Sequence, residues 1–507
     1  MIVLRHRAAL LPALLIGTAL WGQDLSQFEK KVTEFTLANE LHFIVVERHD
    51  APVISFHTWV NTGSLNDPAG ATGLAHMFER LAFKGTETIG TADWASEKKE
   101  LDAVEDVYDR LQAERNKGPR ADQARVDVLD LQLQTAINRT EGFGRPNEFG
   151  AILENNGAMG SAAAANYDRI EYQCNLPSNR IELWFLMESQ RFLAPVFRDF
   201  YKERDAVQEE LRLRPRTNPQ APLYEEFLAA AFEAHPYRNP GIGWPSDLAN
   251  LRYRDARAFF ERYYTASNMV IAMVGDVAPE EARRLAERYF GPMPARPAPP
   301  ATHTVEPLQQ GLRRIQVQLP IQPVLLWGYK RPDDRDPDDA ALLVMSLILS
   351  AGRSSVLYKG LVEDQRIAVD VQTNASYPGG RYPCLFTFFL TPAKEHTVEE
   401  NEKALDALLA RFQTQRVDEE TLNRARNQAR AELIALLDDN QGLAGQLAAY
   451  YATYGDWRKL FASMADWNKV TADDVLRVAR KYLVPTQRTV AYSTLPGPQI
   501  LPARGGR

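Results

Sequence analysis

Apolar and polar residues alternate with a period that changes from one stretch of the chain to the next. Phe35-Thr36-Leu37 and the run Leu41 to Glu47 flank Asn39-Glu40, which predicts a β-hairpin, and the β-branched and aromatic run Val53 to Val60 predicts a third strand. An antiparallel sheet therefore opens the chain. In "GLAHMFERLAFKGT", Gly73 to Thr86, Leu74, Phe78, Leu81 and Ala82 recur at helical spacing and leave His76, Glu79 and Arg80 together on one polar face. Between Ala95 and Ile137 a charged helical pattern carries Leu101, Val104, Tyr108 and Leu111 on one face. It breaks at Lys117-Gly118-Pro119 and resumes with Val126, Leu129, Leu133 and Ile137, which predicts a helical hairpin.

The chain also repeats itself. Pro292, Pro294, Pro297, Pro299, Pro300 and Pro307 predict an extended linker near its middle. On either side of that linker a helix, turn and strand recur: 474 − 255, 482 − 263 and 491 − 272, the spacings of paired Asp, Tyr and Ala residues, all equal 219. At 507 residues the chain is long enough for about two to four units, and duplication gives that length a form. The expected organisation is a leader at 1–23, a first half at 24–290 with the hairpin inserted at 95–137, a linker at 291–311 and a second half at 312–507.

Composition narrows the function. With 45% hydrophobic and 25% charged residues the chain is an ordinary globular one, and a formal charge of −7 provides no basic excess for nucleic acid. Arg5 and Arg7 precede an apolar run from Ala8 to Gly22, 15 residues long (22 − 8 + 1), which is the layout of a signal peptide and short for a membrane span. The expectation is an exported protein, periplasmic or secreted, with no integral span once the leader is removed. Cys174 and Cys384 lie 210 residues apart and form no Cys-x-x-Cys motif, so two separate thiols are expected.

The candidate chemistry centres on His76. Two histidines four apart, with a glutamate before the second, form the inverted zinc-peptidase pattern His-x-x-Glu-His, in which both imidazoles reach one metal and the carboxylate deprotonates the bound water. Here the second histidine is Arg80, a cation that offers zinc no lone pair. Alone, this segment reads first as a surface helix with a single histidine and an intrahelical charge pair. His57, on the third strand, is a conceivable replacement ligand.

The wider sequence resembles the insulinase or pitrilysin family of zinc peptidases. Gly63-Ser64 through "FKGT" at Phe83–Thr86 matches the metal-helix region, and "ERDAVQEELRLR" at Glu203–Arg214 matches the second site helix. "AHPY" at Ala234–Tyr237, "VGDV" at Val274–Val277 and "GRSSVLYKGLVE" at Gly352–Glu363 follow in the family's order. The resemblance implies an α+β fold of two related halves, each a largely antiparallel sheet packed with helices, forming a clam-shell chamber. It implies His76 and Glu210 as metal ligands, Glu79 as general base, Glu203 as supporting carboxylate, and a peptide-binding edge strand at Ala162 and Ala163.

The departures from the family are concentrated at the centre of that site. Arg80 replaces a zinc ligand, Ala162 stands where the edge strand's asparagine is expected, and Val362 and Val369 stand where active relatives place an arginine and a tyrosine. A metal-free substitute is expected in which Arg80 pairs with Glu210, because a guanidinium matches a carboxylate fork. Two main readings follow: a non-catalytic or impaired subunit that binds extended peptides and pairs with a related active peptidase, or an exported zinc endopeptidase acting on small unfolded polypeptides. A free-standing peptide-binding scaffold is the third. Zinc is the cofactor if the chain is active, and otherwise none is needed.

Overall fold

Strands β1 (Val32–Thr36), β2 (His42–Glu47) and β3 (Val53–Val60) form where the hairpin and the β-branched run predict them, and Glu40 adopts a φ of 75° to turn the chain between the first two. The computed structural model describes residues 28–496, so the expected leader lies outside the described residues. Strands β4 (Met159–Ala165), β5 (Ile170–Pro177) and β6 (Met269–Gly275) complete a six-stranded sheet in the order β1-β2-β6-β3-β5-β4. A second sheet holds β7 (Arg313–Gln318), β8 (Leu325–Arg331), β9 (Ala368–Tyr377), β10 (Cys384–Pro392) and β11 (Arg488–Thr494) in the order β7-β11-β8-β10-β9.

The two sheets share one topology. In each, one parallel pair (β2 with β6, β7 with β11) is followed by antiparallel neighbours out to an edge strand, β4 or β9. The 219-residue offset holds element by element. Helix Tyr253–Tyr263 maps onto Ala472–Tyr482 (472 − 253 = 219) and β6 maps onto β11 (488 − 269 = 219). Before β4 the offset is larger, 325 − 53 = 272 from β3 to β8, and the difference of 53 is close to the 48 residues from Trp94 to Glu141. Those residues are helices Trp94–Arg115 and Gln123–Glu141, which bury Val104, Tyr108 and Leu111 against Val126, Leu129 and Leu133 as their spacing predicts. No helix or strand occurs between Tyr289 and Arg313. Cys174 and Cys384 are both buried and free.

The repeat also explains how the halves associate. Every residue of β6 is buried, because its alternate side chains enter different cores: Ile271 and Met273 pack with the first half's helices, whereas Val270, Ala272 and Val274 pack with residues of the second half. Helix Asn440–Tyr454, from the second half, covers that latter face over β3 and β6. Its counterpart, Ala221–Ala231 (440 − 221 = 219), crosses in the opposite direction and covers β7 and β11. Each half thus seals the other's sheet. The fit is close at Gly328, where a Cβ would stand 2.6 Å from the Phe227 ring, so a side chain there would push that ring out of its place.

Two predictions follow from this packing. Phe227 is fully buried in the crossing helix, and Phe227→Ala is expected to cost about 3–5 kcal/mol in urea unfolding. In the second half Asp338 accepts bonds from Arg477, Lys481 and Tyr482 at 2.6, 2.7 and 2.8 Å. Burial disfavours its charge, but these partners prevail and bring its pKa down to about 2. A depressed carboxyl pKa stabilises the fold above the unfolded-state value and stops doing so as pH falls through the folded one. Asp338→Asn should therefore cost on the order of 1–2 kcal/mol at neutral pH, with the difference vanishing between about pH 4 and pH 2.

Candidate active site

The motif helix Leu74–Leu81 is set by its flanks. Gly73 takes a φ of 96°, and a Cβ there would lie 2.7 Å from the Ile242 carbonyl oxygen, so glycine is required where the helix starts. The Asp67 carboxylate accepts from the Gly73 and Ala75 amides at 2.7 and 2.9 Å, satisfying donors that the first turn leaves open. Leu74, Met77, Phe78 and Leu81 are buried, which turns His76, Glu79 and Arg80 toward the carboxylate helix Phe200–Thr217. Glu203 and Glu210 face the motif helix from two turns of that second helix, as their seven-residue spacing predicts.

The five polar groups meet, and Arg80 is the centre of the contact. Its Nη2 donates to Glu210 Oε2 at 2.8 Å, and its Nη1 lies 3.8 Å from Glu203 Oε2. The expected Arg80–Glu210 pair is therefore formed. Glu203 also pairs with Lys84 at 2.5 Å, so this supporting carboxylate is occupied by cations on both sides. His76 lies between two carboxylates, with Nδ1 3.4 Å from Glu79 and Nε2 3.4 Å from Glu210. Burial works against a charged imidazole there, but the two glutamates outweigh it and raise the His76 pKa. Burial likewise disfavours the Glu210 charge, and His76 and Arg80 overcome it to hold that carboxyl below the usual range.

This donor set does not fit catalytic zinc. Arg80 has no lone pair to offer, and Glu210 is already engaged by Arg80 and His76. Among the described residues no group of three or more His, Cys, Asp or Glu side chains is placed to hold a metal. His57 does not fill the gap. It is buried on the sheet face that meets helix Asn440–Tyr454, where a Cβ at Gly445 would stand 3.3 Å from its ring and where it pairs with Glu171 at 3.3 Å, whereas the motif helix packs in the opposite core. His235 serves a turn, accepting from the Tyr237 amide, and burial brings its pKa down to about 4.

Glu79 has a partner that sequence reasoning missed. Its Oε1 accepts the Ala165 backbone N–H of β4 at 2.7 Å. Ala162 and Ala163 lie on that same strand at the open edge of the first sheet. A cavity of about 310 Å³ adjoins the site, with His76 and Glu210 on one wall and Tyr167, Tyr224 and Tyr377 on others. Arg214 and Glu225, which pair with each other, also line it. Tyr377 reaches the cavity from the second half, a placement no local pattern encodes. Val362 lies against the second core and Val369 is 55% exposed on β9; neither lines this cavity.

Comparison with known proteins agrees with this architecture. Residues 43–103 match the model of the insulinase peptidase family M16, and residues 250–429 match the model described as the peptidase M16 inactive domain. The second match includes neither His76 nor Glu210, so the geometry above, and not that description, bears on catalysis at this site. Zinc protease PqqE of Helicobacter pylori is 25% identical over 488 residues, covering 94% of this chain and 95% of its own. The probable β subunit of the mitochondrial-processing peptidase of Arabidopsis thaliana is 23% identical over 491 residues, covering 94% of this chain and 80% of its own. A crystal structure of a Helicobacter pylori protease superposes with a TM-score of 0.76 at 23% identity, covering 92% of this chain and 99% of the other.

Purified protein is expected to carry well under one zinc per chain by metal analysis, and one tightly held zinc per chain would overturn the metal-free reading of the site. Arg80 and Glu210 are each 41% exposed, so Arg80→Met is expected to cost less than about 1 kcal/mol in thermal unfolding.

Proposed function

We propose, from the premise that this chain has the fold of the insulinase peptidase family, that it is an exported, non-catalytic subunit that holds extended peptides and pairs with a related active peptidase. The observation that carries this reading is the prior engagement of Glu210 and Glu79, two groups the hydrolytic reaction would need. Arg80 neutralises Glu210 where a second imidazole would share a metal, and Glu79 is bonded to the β4 backbone. A general base must reach the proton it removes, and one oxygen of Glu79, Oε1, is already taken up by the strand amide. Peptide capacity rests on other features. The β4 edge is unpaired on one side, and an extended chain can add to such an edge through main-chain hydrogen bonds. The adjacent cavity with its three tyrosines can take a side chain of that peptide.

A relative named as a processing-peptidase subunit supports a role as one chain of an assembly. The zinc-protease name of another supports the second reading, a working zinc endopeptidase. In that reading His76 and Glu210 bind the metal with a third ligand, and Glu79 is the general base. The donor set weighs against it.

A quenched-peptide cleavage assay separates the two. The unmodified chain alone is expected to show no cleavage above buffer. Mixing with a related active chain is expected to raise turnover above that of the active chain by itself. Cleavage by the unmodified chain, abolished by chelator or by Glu79→Gln, would establish the endopeptidase instead.

A further inference from the structure

The bond between Glu79 and Ala165 has a consequence for the edge strand itself. Strand β4 is Met159 to Ala165, with the sequence MGSAAAA, and its residues are mostly exposed. Small side chains bury little area, so packing gives this strand little to hold it in place. Its pairing with β5 is also interrupted, shifting between Met159 and Ala162. What fixes its C-terminal end is polar. The Asn166 and Tyr167 carbonyls accept from the Ser64 and Leu65 amides at 2.9 and 3.0 Å, and the Ala165 N–H donates to Glu79 at 2.7 Å.

The direction of that N–H identifies what the bond controls. Asn166 donates back to Arg169 across the β4–β5 turn at 2.9 Å, so the alternate residues Asn166, Ala164 and Ala162 direct their backbone groups toward β5. Ala165 and Ala163 direct theirs to the open edge; beyond Ala162 the register shift ends the alternation. Glu79 therefore occupies the last outward donor of that edge and leaves that of Ala163 to an added strand. We infer that Glu79 is a positioning residue for peptide docking: it clasps the end of β4 and sets the point at which an added strand stops pairing. The inference rests on the peptide-binding reading above and assigns the residue in the general-base position of the motif a binding task.

The role requires a hydrogen-bond acceptor and no negative charge, which distinguishes it from a base. Glutamine keeps a carbonyl oxygen for the Ala165 N–H, and alanine does not. The probe is fluorescein-labelled, reduced and carboxymethylated lactalbumin, a permanently unfolded chain, titrated by fluorescence anisotropy against the full-length protein. In parallel, hydrogen exchange is followed in a fragment spanning β4 and its turn. Glu79→Gln is expected to bind within about twofold of the unmodified chain and to keep β4 protected. Glu79→Ala is expected to lose tenfold or more in affinity and to exchange faster in β4 alone, with the thermal midpoint unchanged. Equal binding by the alanine variant, or equal weakening by both variants, would overturn the positioning role. If the unmodified chain fails to bind, peptide docking fails with it, and the exchange data then judge the clasp by itself: unaltered β4 protection in Glu79→Ala would overturn that too.

Discussion

The structure depends on a constraint in its central strands: β2, β3 and β6 are buried on both faces, and β2 and β6 are largely apolar on both, so neither face can be left to water. Ile44 and Val46 of β2, Trp59 of β3 and Val270 of β6 all belong to the core shared with the second half. A sheet of this kind cannot be stable in a half that supplies helices to one side only. The reciprocal crossing of Ala221–Ala231 and Asn440–Tyr454 meets the requirement, and it couples the halves more tightly than a linker could. Polar contacts at the rim add direction. His42 stacks on Tyr451 at 3.8 Å, and Asp168 accepts from the Gly380 and Arg381 amides, joining the β4–β5 turn to the β9–β10 turn. The edge strand beside the candidate site is therefore positioned partly by the second half.

Duplication provides two copies of the scaffold, but the polar cluster occurs in one. The carboxylate helix Phe200–Thr217 corresponds to Glu419–Asp438 at the same offset (419 − 200 = 219). Glu203 and Glu210 then correspond to Leu422 and Ala429, which are buried with Ala425 and Leu433 in the second core. One helix face thus serves opposite purposes. In the second half it is an apolar seam, and in the first it faces a half-exposed cluster that needs cations to balance its carboxylates. A charged face is retained only where water or counter-charges reach it, and the first half supplies both.

Much of this was legible in the sequence because it is local and periodic. The β3 run, the motif-helix stripe and the seam of the inserted hairpin each repeat within a few residues, and the 219-residue offset survives because neither copy gained residues after the carboxylate helix. The meeting of Arg80 with Glu210 was legible too, through the resemblance that placed the two helices side by side. Three features were not. The face on which His57 points depends on which side of the sheet carries the motif helix, and alternation along β3 leaves both sides open. Tyr377 enters the cavity through the association of the halves. The partner of Glu79 is a backbone amide, which has no residue type by which a sequence could reveal it.

The charges at the site show why the loss of one ligand alters more than metal affinity. With a divalent ion absent, Glu79, Glu203 and Glu210 would face one another across a partly dry gap, and like charges so placed disfavour ionisation. Arg80 and Lys84 carry two positive charges, equal in number to those of a zinc ion, but they deliver them differently. A guanidinium and an ammonium are held at their carboxylates by directional hydrogen bonds and have no vacant coordination position, whereas catalytic zinc retains one for water. Most of the cluster's negative charge is thereby balanced without creating a nucleophile. Glu79 accepts from the strand beside it, so the same arrangement of charges leaves its carboxylate available to order the β4 edge.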